Sequence, residues 1–313
     1  RGKCKSGGIE RYLERFQEGA KAGVTRLLTS FYFRQSDNRQ DGDPTFEFTH
    51  KSFGEYLTAL RIIRLLRQMQ KQRRRRQEDP DDGWSEKEAL QHWTGFSAVT
   101  YMDGDLLRFI SNEFRAMTKE ELRALQGIVR ELLSYTVNQG LPFHEDFKDK
   151  GFKEHLRLAR HAEAALLAVH FYIAELTEQV SKLELESEFA FGEWFRRVNG
   201  VAGCASWLGY LDLSGYYLIA QIFVGANFAM SNLKNAKLNY SIFTHANLSG
   251  VQLEKANIRW ANLRCANLKD ANLKDVNLGW RIDQHPNFER ADLEGAKLDG
   301  AVLTGTILEN KVS

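Results

Sequence analysis

The sequence predicts two architectures joined in one chain: a mostly α-helical N-terminal two-thirds interrupted by one β-hairpin, and a C-terminal coil whose turns have four sides. Three observations carry that reading. Large apolar residues recur at every fifth position from Leu208 to Leu308. Before them, apolar residues recur at helical spacing through most of the chain. The exception is Arg26 to Phe33, rich in aromatic residues and followed by a polar turn. At 313 residues the chain is long enough for about two domains, each able to bury a core.

Taken in order, Ile9 to Ala20 reads as the first helix. Arg26 to Phe33, the turn Gln35 to Pro44 and the strand Thr45 to Thr49 read as a hairpin running into a long helix that begins near Ser52. Arg61, Arg64, Arg67, Lys71 and Arg73 to Arg76 are expected on the solvated face and basic C-terminus of that helix, where the helix dipole favours cations. The acidic breaker Glu78-Asp79-Pro80-Asp81-Asp82 ends it. Glu86 to Trp93, Gly104 to Met117, Lys119 to Asn138, Phe152 to Val180 and Glu186 to Val198 follow as helices. Two open with a capping box, Ser85 with Glu88 and Thr118 with Glu121. The domain boundaries read from these elements are 1–76, 77–200 and 201–313.

The five-residue series runs Leu208, Leu213, Leu218, Phe223, Phe228, Leu233, Leu238, Phe243 and onward to Leu308, and only Asp283 is not a large apolar residue. Two residues before most centres stands Ala or Ser, and between them usually Asn or Asp, as at Ala246-Asn247-Leu248. A period of five is neither helical nor strand-like, so the coil must close on itself, with four pentads making a turn of twenty residues. Large and small residues would point inward and the other three positions outward. With parallel backbones ~4.8 Å apart, this stretch makes about five turns and a rod of about 25 Å. A leucine-rich helix is excluded, because Leu at every fifth position would spiral around its surface.

This segment resembles the pentapeptide-repeat family, written A-(D/N)-L-x-x, and the resemblance implies a right-handed quadrilateral β-helix. A second resemblance lies upstream. A helix followed by such a hairpin has the order of a winged helix, and Phe46-Glu47-Phe48-Thr49-His50-Lys51-Ser52-Phe53-Gly54-Glu55-Tyr56-Leu57-Thr58-Ala59 resembles the F-x-H-x-S-F-x-E-Y-x-x-A segment that closes the winged-helix domain of NACHT-type STAND NTPases. That resemblance implies that His50 senses nucleotide by facing the phosphates of bound ADP. The alternative for His50 is a helix cap that packs the wing. No G-x-x-x-x-G-K-[ST] loop is present, so the chain is expected neither to hydrolyse ATP nor to bind a cofactor alone. ADP or ATP with Mg²⁺ would enter only through an NTPase core upstream. Arg1 in place of an initiator Met is expected of a piece of a longer protein.

Composition narrows the function further. Lys plus Arg number 43 and Asp plus Glu 41, which removes the bulk electrostatic case for a nucleic-acid or membrane-surface binder. The apolar run Ala164 to Ala174 is too short to cross a bilayer and contains His170. Cys4, Cys204 and Cys265 are far apart and form neither a disulfide framework nor a zinc site, which fits a cytoplasmic protein. His155, His161 and His170 lack the i, i+4 spacing a metal needs, and His144-Glu145-Asp146 has no partnering nucleophile, so no catalytic or metal residue is expected.

Recognition is therefore expected on the outside of the rod. Tyr240, Trp260 and Trp280 fall one turn apart at the same outward corner, with Ile242 and Ile282 at the next outward position. Aromatics on a solvated corner mark a binding ridge or a covered face. Arg281 to Pro286 breaks the pentad, and a loop bulging from a continuing rod is expected there, placing His285 beside the ridge. The rod carries eleven basic and ten acidic residues, which departs from the DNA-like charge of family members that shield DNA gyrase. The resulting expectation is a non-catalytic sensor and scaffold of a bacterial STAND NTPase in antiphage defence or signalling. Its partner would be a protein ligand or the upstream NTPase domain, with oligomerisation open and no nucleic acid or membrane. The alternative is a free-standing pentapeptide-repeat protein that binds and protects a DNA topoisomerase.

Overall fold

The computed structural model describes residues 33–36, 45–48, 51–199, 204–278 and 286–301. The expected helix Ile9 to Ala20 lies outside them. Strands β1 (Phe33–Ser36) and β2 (Thr45–Phe48) pair antiparallel, with Phe33 opposite Phe48 and Ser36 opposite Thr45. The expected strand Arg26 to Phe33 lies outside the described residues except for Phe33, and Gln35 and Ser36, expected in the turn, belong to the strand. Pairing with Phe46 and Thr45 draws these two into the ladder.

Helix α1 (Lys51–Glu78) packs chiefly along α3 (Gly104–Arg115), burying Ile62, Leu66 and Met69. Helices α2 (Glu86–Ser97) and α4 (Lys119–Gln139) begin with the two capping boxes, both complete. Helix α5 (Phe152–Thr177) runs through the centre, where Trp93 Nε1 donates to the Ala162 carbonyl at 2.9 Å. It stops before Val180 because Glu178 turns left-handed at φ 56°. Helix α6 (Ala190–Val198) starts later than expected from Glu186. The amides of Glu184 and Glu186 donate instead to Ser134 Oγ and Asn138 Oδ1, which holds that stretch against α4.

One basic residue departs from the expected solvated face. Arg73 is buried, donating to the Trp84 carbonyl at 3.0 Å, to Glu131 at 2.6 Å and to Glu86. Two carboxylates and a carbonyl compensate a guanidinium that would otherwise be costly to bury.

The C-terminal segment is the four-sided coil. Parallel bridges join residues twenty apart: Asp212 to Asn232, Tyr217 to Lys237, Ile222 to Ile242 and Asn227 to Asn247, one on each side, and the ladders continue through the following turns. Leu213, Leu233, Leu253 and Leu273 stack on one side, and Leu218, Leu238, Ile258 and Leu278 on the next. Phe223, Phe243, Leu263 and Phe288 form the third column, and Phe228, Leu248 and Leu268 the fourth; all are buried.

Asn at the position before each centre has two tasks. Asn247 Oδ1 accepts from the Ser249 amide at 3.2 Å, an Asx turn that shapes the corner, and Asn247 Nδ2 donates to Asn227 Oδ1 at 3.1 Å on the turn before. After Leu278 the pairing shifts: Asn262 bridges Asn287, Asn267 Asp292 and Asn272 Lys297, five residues further than in earlier turns. Phe288 therefore takes the inside place above Leu263, and the bulge expected at Arg281 to Pro286 lies, but for Pro286, outside the described residues.

The helical region supplies the rod with its first rung. Strand β3 (Ser181–Lys182) pairs parallel with β4 (Leu211–Asp212) on one side. On the next two, the Glu188 carbonyl accepts from the Tyr217 amide at 2.9 Å, and Asn199 Nδ2 donates to the Ile222 carbonyl at 2.9 Å. On the fourth, the Ala205 carbonyl accepts from the Asn227 amide at 2.8 Å. Helix α6 plugs the open end, with Phe195 4.9 Å from Phe223, which packs on Phe228 and Phe243. An exposed sheet edge is thereby covered.

Candidate functional site

The packing that fixes the inside of the rod leaves three outward positions per pentad, and the sides carrying Leu218 and Phe223 use them differently from the other two. In the first turn these positions hold Tyr217, Ile219, Ile222 and Val224, and in the second Asn239, Tyr240, Ile242 and Thr244. Ile222 is 57% exposed, Val224 53% and Tyr240 51%, far above what a scattered surface residue needs to be unremarkable when they adjoin. Ile219 is exposed, Ile242 half-buried, and Phe189 of the cap lies exposed beside Tyr217 with ring centroids 4.6 Å apart.

Tyr240 and Trp260 stack in parallel, centroids 4.6 Å apart and planes 4° from coplanar. Both sit at the second corner residue, where the backbone is left-handed: φ is 63° at Tyr240 and 56° at Trp260. The coil imposes this left-handed corner on every side, and it is held by Gly215, Gly225 and Gly250, which tolerate it, but also by Ala220, Met230, Lys255 and Cys265. Bulky aromatics there carry a backbone cost that the stack and the Arg259 guanidinium, 5.2 Å from the Trp260 ring centre, offset in part. Arg264, in the same turn, lies 3.4 Å from Glu289.

Of the residues expected at the ridge, the structure brings together Tyr240, Trp260 and Ile242. Trp280, Ile282 and His285 lie outside the described residues, as does His50. Ile219, Ile222, Val224 and Phe189 were not among the expected site residues. Their signal in the sequence is the apolar side chain where other pentads carry Asn, Lys or Arg.

Among the described residues of the helical region no comparable convergence of reactive groups occurs. His155 Nε2 lies 2.7 Å from the Phe147 carbonyl, and His161 meets Tyr101 edge-on. His170 is fully buried, and burial lowers its pKa to about 4. Glu163 is buried on α5, and burial raises its pKa to about 7 against the opposing charge of Arg197, 2.7 Å away on α6. Among the described residues no cluster of three His, Cys, Asp or Glu could hold a metal ion, and no helix is long and apolar enough to cross a membrane.

Comparison with known proteins agrees with the geometry of the coil. Residues 212–250, 241–279 and 287–310 match the family model of pentapeptide repeats, in eight copies, so the C-terminal part of the chain is a pentapeptide-repeat domain. No curated protein matches the chain. Among solved structures, it is similar to the pentapeptide repeat protein Rfr23 of the cyanobacterium Cyanothece 51142, with 30% identity over 32% of this chain and 58% of that one, and a TM-score of 0.22. It is also similar to a pentapeptide repeat protein of the Arabidopsis thaliana thylakoid lumen, with 32% identity over 29% and 63%, TM-score 0.20. QnrB1, a plasmid-mediated fluoroquinolone resistance protein, is 25% identical over 31% and 59%, TM-score 0.16. The chain spans less than two thirds of each of these relatives.

Proposed function

We propose that the chain is a non-catalytic recognition and scaffolding module: the rod docks a protein partner on its Leu218 and Phe223 sides, and the helical region caps and presents it. The observation that carries this reading is the stack of exposed Tyr240 on half-buried Trp260, set in an apolar surface on a rigid coil. Photo-crosslinking from position 242 should capture a partner that is not captured from position 254 on the opposite side. Trp260→Asn, chosen because Asn tolerates the left-handed corner, should abolish capture while leaving the melting temperature within a few degrees. Equal capture from both positions would place recognition elsewhere.

The Phe46 to Ala59 segment supports a more specific setting, the sensor end of a STAND NTPase, with His50 reading nucleotide phosphates and the pentapeptide rod reading the ligand. In a full-length protein His50→Ala should then weaken ADP retention and raise basal activation. Unchanged retention would return His50 to a helix cap.

A further inference from the structure

The geometry points to an acidic, apolar protein segment as the partner of the Leu218 and Phe223 sides. This rests on the docking reading above and adds the chemistry of what docks. From Tyr216 to Gly225, Ala236 to His245 and Ala256 to Cys265, the three turns of these two sides carry Lys237, Arg259 and Arg264 and not one Asp or Glu; the first acid described on them is Glu289 in the following turn, 3.4 Å from Arg264. The other two sides of the same turns mix both signs, with Lys234, Glu254, Lys255, Lys269, Asp270, Lys274 and Asp275. There Lys234 pairs with Glu254 at 3.1 Å, so those charges are met within the rod.

The asymmetry has a direction along the axis as well. The first two turns present Ile219, Ile222, Val224, Tyr240 and Ile242, and the cations Arg259 and Arg264 border them at the third. Arg259 lies over Trp260 and on Asn257 Oδ1, and among the described residues no carboxylate pairs with it. An amphipathic segment lying along the rod would set its apolar side chains on the isoleucines and the aromatic stack, with its carboxylates at the arginine end. Helix residues on one face recur ~5–6 Å apart, close to the ~4.8 Å rise between turns, so successive turns can take successive side chains.

The same charges argue against a second copy of this chain. Pairing these sides about a two-fold axis would bring Lys237 and Arg259 toward their own equivalents while the carboxylate of Glu289 is already met by Arg264, and like charges across an interface are unfavourable. A nucleic acid would meet the cations but leave the isoleucines and Val224 facing phosphate and sugar, where they gain little.

The test uses two labelled peptides of about sixteen residues, both with Leu at helix-spaced positions, one with Glu and one with Lys elsewhere, and a DNA duplex as a third probe. Fluorescence polarisation should show the Glu peptide binding at least about tenfold more tightly than the Lys peptide, with affinity falling as salt rises. The double variant Arg259→Glu, Arg264→Glu should reverse that order, and Ile222→Asp should remove binding of both. Equal binding of the two peptides, lost in Trp260→Asn, would keep the docking surface and overturn its acidic partner. Binding by neither peptide, by DNA instead, or a dimer in sedimentation that Ile242→Asp dissociates would overturn it also. Crosslinking at position 242 decides the docking reading separately.

Discussion

Glu163 offers a measurable link between protonation and the docking of α6 on α5. Its side chain is fully buried, Arg197 meets one oxygen at 2.7 Å, and burial lifts its pKa from 4.5 to about 7. The other charge facing it is Arg160 of its own helix, whose Nε donates to the Arg197 carbonyl at 2.8 Å. A carboxyl with a raised folded-state pKa binds its proton more tightly when folded than when unfolded. The stability it contributes is therefore complete below pH 4.5 and is lost as pH rises to about 7. The shift corresponds to about 3 kcal/mol. Denaturant unfolding followed by tryptophan fluorescence between pH 4.5 and 8 should show wild type losing that amount relative to Glu163→Gln, whose neutral amide removes the slope. Arg197→Met should steepen the loss, because the charge then has no partner at 2.7 Å. Parallel pH profiles for wild type and Glu163→Gln would refute the assignment.

Two further perturbations probe the coil and its cap. Leu263→Asp places a carboxylate in the buried third column between Phe243 and Phe288 and should cost about 3 kcal/mol or more; an unchanged melting temperature would contradict the four-sided packing. Gly192→Ala would set a Cβ 2.7 Å from the Tyr217 carbonyl oxygen, a backbone atom that cannot swing aside. It should lower the midpoint and speed hydrogen exchange at 190–198 while leaving exchange in Leu253 to Leu278 unchanged.

The coil was legible in the sequence because its side-chain period is its backbone period: every fifth residue must be large if four pentads are to fill a square. Even the break in the count at Asp283 could be read, since a carboxylate has no place inside, and the ladder beyond it pairs residues twenty-five apart. The capping boxes were legible for a related reason, as they satisfy backbone groups within four residues. What escaped depends on contacts distant in sequence. Arg73 looks like its neighbours in the basic run until Glu131, fifty-eight residues on, turns inward to meet it at 2.6 Å. The late start of α6 is set by Ser134 and Asn138 on another helix. The ridge was only partly legible. Its aromatics Tyr240 and Trp260 were visible at one residue per turn, but the apolar positions beside Phe223 gain meaning only when Ile222 and Ile242 are known to be neighbours on a side whose first three turns carry no acid.

The position of that surface on the rod matters to what it can report. It lies on the capped turns, not at the far end. The Ile222 carbonyl accepts from Asn199 at the end of α6, the Tyr217 amide donates to Glu188 just before α6, and Phe223 packs on Phe195 within it. α6 in turn is tied to α5 through Arg197 and Glu163. A segment seated on Ile222 and Tyr240 therefore touches a rung whose other half belongs to the helical region. Further along the coil, each turn contacts only its neighbours, and a ligand there would be felt by repeats alone. If a partner docks at the capped end as proposed, hydrogen bonds and packed rings join its surface directly to the helices.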